Sequence, residues 1–307
     1  MTDERQRALD PEVARRVANL SFAASKAVDG LLSGVHKSPH RGASVVFVEH
    51  REYKPGDDLR LLDWRAYARS DRHQIKRFEQ ETHLRATLVF DRSGSMAYAG
   101  EASSGERRAT KAEHAATLLG ALALILIRQG DAPGLAVVSS RVDGRLPART
   151  KPAHLDEVLR ELATPPNEGT PTDLRAALTE VAERAGRRGL VAVASDLLDA
   201  GPQALEPLSY LVGHGHEVVV FHVLDPDELE LPFTEPARFL GLEGEPSVDA
   251  DPDSLREAYR REIGAFLADR RARCTAAGAR YVLARTDDAV EHTLAAVLSA
   301  GRRKGFG

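Results

Sequence analysis

From residue 85 onward, short apolar runs alternate with segments of helical length and period. "RATLVFD" at 85–91 reads as a buried strand, and "TKAEHAATLLGALALILIRQG" at 110–130 as a long helix, apolar nearly all round and stopped by Gly130. "GLAVVSS" and "GRLPA" read as two strands joined by a tight turn at Asp143-Gly144. Helices follow at "AHLDEVLREL" and "TDLRAALTEVAERAG", then the strand "GLVAVASD", a helix at "PQALEPLSYLV" and the strand "HEVVVFHVLD". An irregular, Pro-containing stretch from Pro226 to Pro252 leads to a charged helix over about Ser254 to Ala276, and "ARYVLAR" and "DAVEHTLAAVLSA" close the pattern. Apolar strands interleaved with helices predict a doubly wound, mostly parallel α/β sheet covered on both faces. The short connection makes "GRLPA" an antiparallel edge strand, because parallel neighbours need a long crossover.

The first 84 residues break this rhythm. A helix from about Pro11 to Val28 precedes a Gly- and Ser-containing linker and the alternating strand "ASVVFVEHREY". "KPGDDLRLLDWRAYARSDRHQIKRFEQETHL" follows, dense in charge and holding the single tryptophan, Trp64. The expected organisation is an N-terminal extension over 1–84, a sheet domain over 85–300 and a tail over 301–307.

Composition narrows the function classes. Of 307 residues, 42% are hydrophobic and 29% charged, an ordinary globular balance, and the net charge of −4 gives no general attraction to nucleic acid. Cys274 is the only cysteine, which excludes a disulfide framework and a cysteine-based zinc site. The polar start "MTDERQRALDPE" has no signal-peptide core, and the longest apolar run, Ala115 to Ile127, falls short of the ~20 residues of a membrane span. A cytoplasmic protein is expected.

Ligands of open α/β sheets bind outside the carboxyl ends of strands. Two polar stretches lie at such ends: "FDRSGSM" at 90–96 and "SDLLD" at 195–199. Asp91, Ser93 and Ser95 alternate, so one turning loop can present several hard oxygens to one point, with Gly94 allowing a close approach. "TPTDL" opens a helix with Thr172 placed as N-cap and Asp173 in its first turn. As a bare turn, Asp91 to Ser95 would be unremarkable; joined to Thr172 and Asp196 it becomes a candidate site.

The pattern D-x-S-x-S, then T-D-L opening a helix, then a strand-terminal S-D, resembles the metal-ion-dependent adhesion site (MIDAS) of von Willebrand factor A domains. The resemblance covers about Arg85 to Ala300 and implies a von Willebrand factor A-like sheet. It implies Ser93, Ser95 and Thr172 as hydroxyl ligands of Mg²⁺ or Mn²⁺, with Asp91 and Asp196 close to the ion. Two threonines in "EGTPTDL" leave Thr170 as an alternative to Thr172. "REYKPGDDLRLLDWRAYAR", "IKRFEQE" and "FDRSGSM" together resemble the bacterial family grouped as domain of unknown function 58. That resemblance implies association with MoxR-type AAA+ ATPases. The function expected is a metal-dependent protein-binding module, an adaptor in ATP-driven remodelling or maturation of other proteins. Its partner, the ATPase or a client, supplies a carboxylate to the ion. The rival is a Mg²⁺-dependent phosphoryl-transfer or hydrolytic enzyme using Asp91 as nucleophile. Ser93 stands where a second acid is expected and no G-x-S-x-G elbow is present, so no enzyme is expected.

Four further features read as structural. "GLLSGVHKS" at 30–38 lacks the adjacent G-K-[ST] of a phosphate loop. His214 and His216 have no ligand-spaced companions. The arginines between Arg256 and Arg273 alternate with acids on a solvated face. Asp57, Asp58, Arg60, Asp63 and Arg65 read as an ion-pair network around Trp64.

Overall fold

A computed structural model describes residues 11–34, 47–52, 67, 74–78, 84–102, 105–166, 169, 172–186, 188–198, 201 and 203–301. Its centre is a six-stranded sheet in the order β5-β4-β3-β6-β7-β10. The strands are β3 (Arg85–Asp91), β4 (Ala132–Val138), β5 (Val142–Leu146), β6 (Leu190–Ser195), β7 (Glu217–Leu224) and β10 (Arg280–Arg285). Five run parallel and β5 pairs antiparallel with β4 at the edge, the architecture expected from the apolar pattern. The central strands are buried on both faces, and all seven residues of β4 are buried. Alternate residues then serve two cores: Ala86, Leu88 and Phe90 face one, Val89 the other.

Helix α2 (Lys111–Arg128) fills the first core. It starts at a reciprocal cap: Thr110 Oγ1 accepts from Glu113 N at 3.0 Å, and Glu113 Oε2 accepts from Thr110 N at 2.8 Å. Such a box stabilises a helix start by roughly 1 kcal/mol. Gly130, at φ 83°, ends the run in the left-handed region. Helix α3 (Ala153–Leu162) packs on the same side; α4 (Leu174–Arg184) and α5 (Glu206–Gly213) build the second core.

Three expectations change. The tight turn falls at Ser139–Arg141, and Asp143-Gly144 lies inside β5. Ser139 Oγ donates to Asp143 Oδ2 at 2.6 Å, so Asp143 braces the turn from the strand rather than forming it. The stretch 226–252 is less irregular than its prolines suggest. It holds a short capped helix, α6 (Pro226–Glu230), and a small hairpin of β8 (Ala237–Phe239) and β9 (Val248–Ala250). The charged helix α7 spans Pro252–Ala276, and α8 spans Val290–Gly301.

The 1–84 extension divides. Helix α1 (Pro11–Gly34) joins the sheet unit, because Leu20, Ala24, Ala27, Val28 and Leu31 form one apolar stripe that enters the first core. Residues 38–83 form a second compact unit. Its described part is an antiparallel pair, β1 (Phe47–Glu52) with β2 (Gln74–Phe78), in which Glu52 faces Gln74. Asp57, Asp58, Arg60, Asp63, Trp64 and Arg65 lie outside the described residues. Among the described residues, no helix is long and apolar enough to cross a membrane.

Candidate functional site

Chain order reverses between β3 and β6: from β3 the chain moves out to β4 on one side, and β6 flanks β3 on the other. Such a switch point leaves a crevice outside the strand ends. Asp91 is the last residue of β3, Ser195 the last of β6, and Asp196 the next. All three are buried.

The loop after β3 wraps its own acid. Asp91 Oδ1 accepts from Ser93 N at 3.0 Å, and Oδ2 accepts from Ser195 Oγ at 2.5 Å. The bond to Ser93 is a short Asx-type turn, which starts the 3₁₀ turn Gly94–Ala97. It brings the Ser93 and Ser95 hydroxyls to 3.2 Å from each other. Gly94 is required here, since a Cβ would stand 2.3 Å from Leu242 O. Asp173, not Thr172, caps α4, its side chain accepting from Ala176 N at 2.9 Å. The cap moves by one residue and Thr172 is left to the crevice, where its Oγ1 donates to Glu243 Oε1 at 2.9 Å. Thr170 lies outside the described residues.

Asp196 is bound differently. Its Oδ2 accepts from Lys111 Nζ at 2.7 Å, Oδ1 accepts from Leu198 N at 3.2 Å, and the Ser95 side chain also hydrogen-bonds it. The Lys111 side chain is completely buried and its ammonium also reaches Glu228 Oε1 at 2.6 Å. Leu197 follows in the left-handed region at φ 54°, uncommon for a branched side chain and a sign that the rim is held from several directions.

Sequence reasoning missed Lys111, Glu228 and Glu243. Lys111 carried a faint signal, a cation in the first turn where the helix dipole disfavours it. Glu228 carried another, since "DPDE" at 225–228 is a capping box in which Asp225 N donates to Glu228 Oε2 at 2.8 Å. Glu243 carried none.

Charge is unbalanced at this rim. Among the described residues, Lys111 pairs with Asp196 and Glu228, whereas Asp91 and Glu243 accept only amide and hydroxyl hydrogen bonds. Asp196 is held below the ordinary carboxylate range: burial would raise it, but Lys111 outweighs burial. Asp91 has no ion-pair partner among the described residues. Burial, then the charge of Asp196, pushes it up to about 7 despite the bonds from Ser195 and Ser93. A cation beside Asp91 would reverse that cost.

The donors suit a hard divalent ion. Ligands at 2.0–2.1 Å around an octahedron stand about 2.9 Å apart along its edges. The Ser93 and Ser95 hydroxyls lie 3.2 Å apart, close enough for both to reach one ion, and Thr172 Oγ1 is tied to the same rim through Glu243. Among the described residues no group of three or more His, Cys, Asp or Glu could hold a metal ion. Hydroxyl and carboxylate oxygens are the hard donors that Mg²⁺ or Mn²⁺ would take. Elsewhere, His214 and His216 donate to backbone carbonyls of Tyr210 and Gly186, both at 2.8 Å, in keeping with a loop role.

A six-stranded, mostly parallel sheet with one antiparallel edge strand is a von Willebrand factor A-like fold. The chain belongs to the family described as protein of unknown function DUF58, whose model matches residues 49–269. The uncharacterized protein Rv1480 of Mycobacterium tuberculosis is 30% identical over 285 residues, covering 91% of this chain and 86% of that protein. The uncharacterized protein Mb1516 of Mycobacterium bovis matches to the same extent. Among solved structures, BatB from Bacteroides thetaiotaomicron is similar at 17% identity and a TM-score of 0.43, covering 72% of this chain and all of that one. The PilB minor pilin of Streptococcus sanguinis is similar at 11% identity and a TM-score of 0.36, covering 76% of this chain and 64% of that one.

Proposed function

We propose that this protein is a divalent-cation-dependent protein-binding module whose site comprises Asp91, Ser93, Ser95, Thr172 and Asp196. One observation carries the reading: Asp91 is fully buried at the switch point, beside a hydroxyl pair and without a counter-cation among the described residues. A bound Mg²⁺ or Mn²⁺ supplies a Lewis-acidic position for an incoming carboxylate oxygen. Ser93, Ser95 and Thr172 hold the ion with neutral oxygens, which preserves its positive charge toward the partner. Asp91 and Asp196 orient those oxygens: Asp91 through Ser93 N, Asp196 through the Ser95 side chain. The family resemblance nominates a MoxR-type AAA+ ATPase or its client as the partner, with the module acting as adaptor in remodelling or maturation.

The enzymatic alternative fares worse. A nucleophilic Asp91 needs an accessible oxygen, yet both of its oxygens accept hydrogen bonds and the residue is completely buried. The test is capture of the ATPase partner with and without a chelator, by wild type and Asp91→Asn. Capture that requires Mg²⁺ and Asp91 supports the reading; capture indifferent to both overturns it.

A further inference from the structure

Glu243 reaches the rim from a distant part of the chain. Its Oε1 accepts from Ser95 N at 3.1 Å and Thr172 Oγ1 at 2.9 Å, and its Oε2 accepts from Thr172 N at 2.9 Å. Three donors from two loops therefore converge on one carboxylate, a cradle in which charge-assisted bonds favour an acid over its amide. Both loops carry candidate metal-binding hydroxyls.

The carboxylate comes from the tip of the β8–β9 hairpin, which is organised largely by itself. Arg238 and Asp249 pair across it through two bonds, at 2.7 and 3.0 Å, and Glu243 N donates to Glu245 Oε2 at 2.9 Å. Gly244 turns the tip at φ 97°. Beside the Glu243 bonds, the tip meets the rim through Leu242 O, which accepts from Gly169 N at 3.0 Å and lies against Gly94. Leu240 and Val248, on either side of the tip, are 72% and 58% exposed. A carboxylate at the end of a self-supporting hairpin, flanked by exposed apolar side chains, has the form of a ligand presented in cis.

We propose that Ser95 N–H, Thr172 N–H and the Thr172 hydroxyl form the carboxylate seat of the site, and that Glu243 is an internal ligand which an acidic residue of a partner replaces. The proposal rests on the cation-site reading above. It assigns the partner's chemistry: an acidic side chain at the tip of a turn, flanked by apolar residues as Glu243 is. It also makes the hairpin a competitor that keeps the seat filled until such a partner arrives.

The full chain carrying Glu243→Gln tests this, with a labelled synthetic peptide of residues 237–250, "ARFLGLEGEPSVDA", as the probe. In Mg²⁺ the variant is expected to bind the peptide at least about tenfold more tightly than wild type. The same peptide with Gln in place of its Glu243 should bind neither chain. Amide exchange at Ser95 and Thr172 should be faster in the variant by about tenfold, since their acceptor is weakened. Equal peptide binding by the two chains, or unchanged exchange at both amides, overturns the proposal. The Mg²⁺-induced rise in the wild-type melting point reads the underlying site separately. If that rise is absent, the cation-site reading fails; if it is present while Glu243→Gln behaves as wild type, the internal-ligand proposal alone fails.

Discussion

Two buried carboxylates sit at the carboxyl ends of β3 and β7, parallel strands of one sheet separated by β6, and they are treated in opposite ways. Asp225, just after β7, accepts from Arg108 Nη2 at 2.6 Å and Nε at 3.1 Å, from Thr286 Oγ1 at 2.6 Å and from Asp227 N at 3.0 Å. Burial would raise it, but Arg108 and then Thr286 hold it below the ordinary range. Asp91, the last residue of β3, receives a hydroxyl and one amide and is pushed up to about 7 by burial and then by the charge of Asp196. The Asp225 cluster is complete with the chain's own groups, and structure is sufficient reason for it. The Asp91 cluster lacks a positive charge that its burial calls for. On the reading proposed above, that deficit is what marks Asp91 as part of a cation site, since both acids are equally buried at strand ends.

The strongest way to break the comparison is to make the complete cluster incomplete. Arg108→Met strands Asp225 and Asp227, which Arg108 Nη2 also contacts at 2.5 Å. Loss of one partner from a buried pair costs about 3–5 kcal/mol. Urea denaturation should report that loss, and Mg²⁺ should not restore it. A mild effect, or rescue by Mg²⁺, would place the cation chemistry at the wrong cluster.

Next in size is the effect of supplying the missing charge. Mg²⁺ at about a hundred times its dissociation constant should stabilise the wild-type chain by about 2.7 kcal/mol. Asp91→Asn should abolish the rise in melting point, while the metal-free variant stays at least as stable as wild type, because the repulsion from Asp196 is gone. An equal Mg²⁺ shift in both chains would sink the assignment.

The comparison also has a pH signature. Asp91 goes from 3.8 unfolded to about 7 folded, so the folded chain binds the extra proton between those values. Its contribution is fully present below about 4 and is lost as pH rises through about 7, by at most about 1.4 kcal/mol per pH unit. Asp225 has the reverse sign: its contribution is present above 3.8 and lost as pH falls through its depressed value. The buried His114 and His222, both lowered to about 4 chiefly by burial, also lose stability as pH falls below 6.5. The Asp91 term is therefore read as the difference between metal-free wild type and Asp91→Asn. That difference should grow from pH 4 to pH 7 and close again when Mg²⁺ is added; a flat difference would show that Asp91 titrates normally.

What was legible in the chain follows the range of each interaction. Strands of the sheet are continuous apolar runs, and Asp91, Ser93 and Ser95 share one loop, so local pattern suffices for both. Thr172 and Asp196 are nominated by resemblance, through the T-D-L and S-D pattern; Thr172 precedes α4 and Asp196 follows β6. Lys111, Glu228 and Glu243 could not be placed, since their bonds to the rim span 85, 117 and 148 residues and leave no periodic trace. The turn after β4 was misplaced because Asp-Gly is a strong turn pair by itself. Here Gly144 instead faces Val137 across the edge of the sheet, and Asp143 bonds back to Ser139. The α1 stripe was visible as a helix, but only the core shows that it belongs with α2.

The smallest expected effect sharpens the comparison most finely. Ser95 contributes its hydroxyl to two neighbours, Ser93 at 3.2 Å and Asp196, while its backbone N–H serves Glu243. Ser95→Ala removes the hydroxyl and keeps the N–H, so the seat for a carboxylate remains and one candidate metal-binding oxygen is lost. The residue lies at the rim, and a net hydrogen bond is worth about 1 kcal/mol, so urea midpoints should move little. Mg²⁺ affinity, read as the metal concentration that half-saturates the melting shift, should weaken by about tenfold. The contrast with the other cluster is Thr286→Val, which removes the hydroxyl that bonds Asp225 at 2.6 Å. That change should cost a similar amount of stability and leave the Mg²⁺ response untouched. If Ser95→Ala and Thr286→Val shift Mg²⁺ affinity alike, the two strand ends are not distinguished by cation binding, and the difference at Asp91 is one of burial alone.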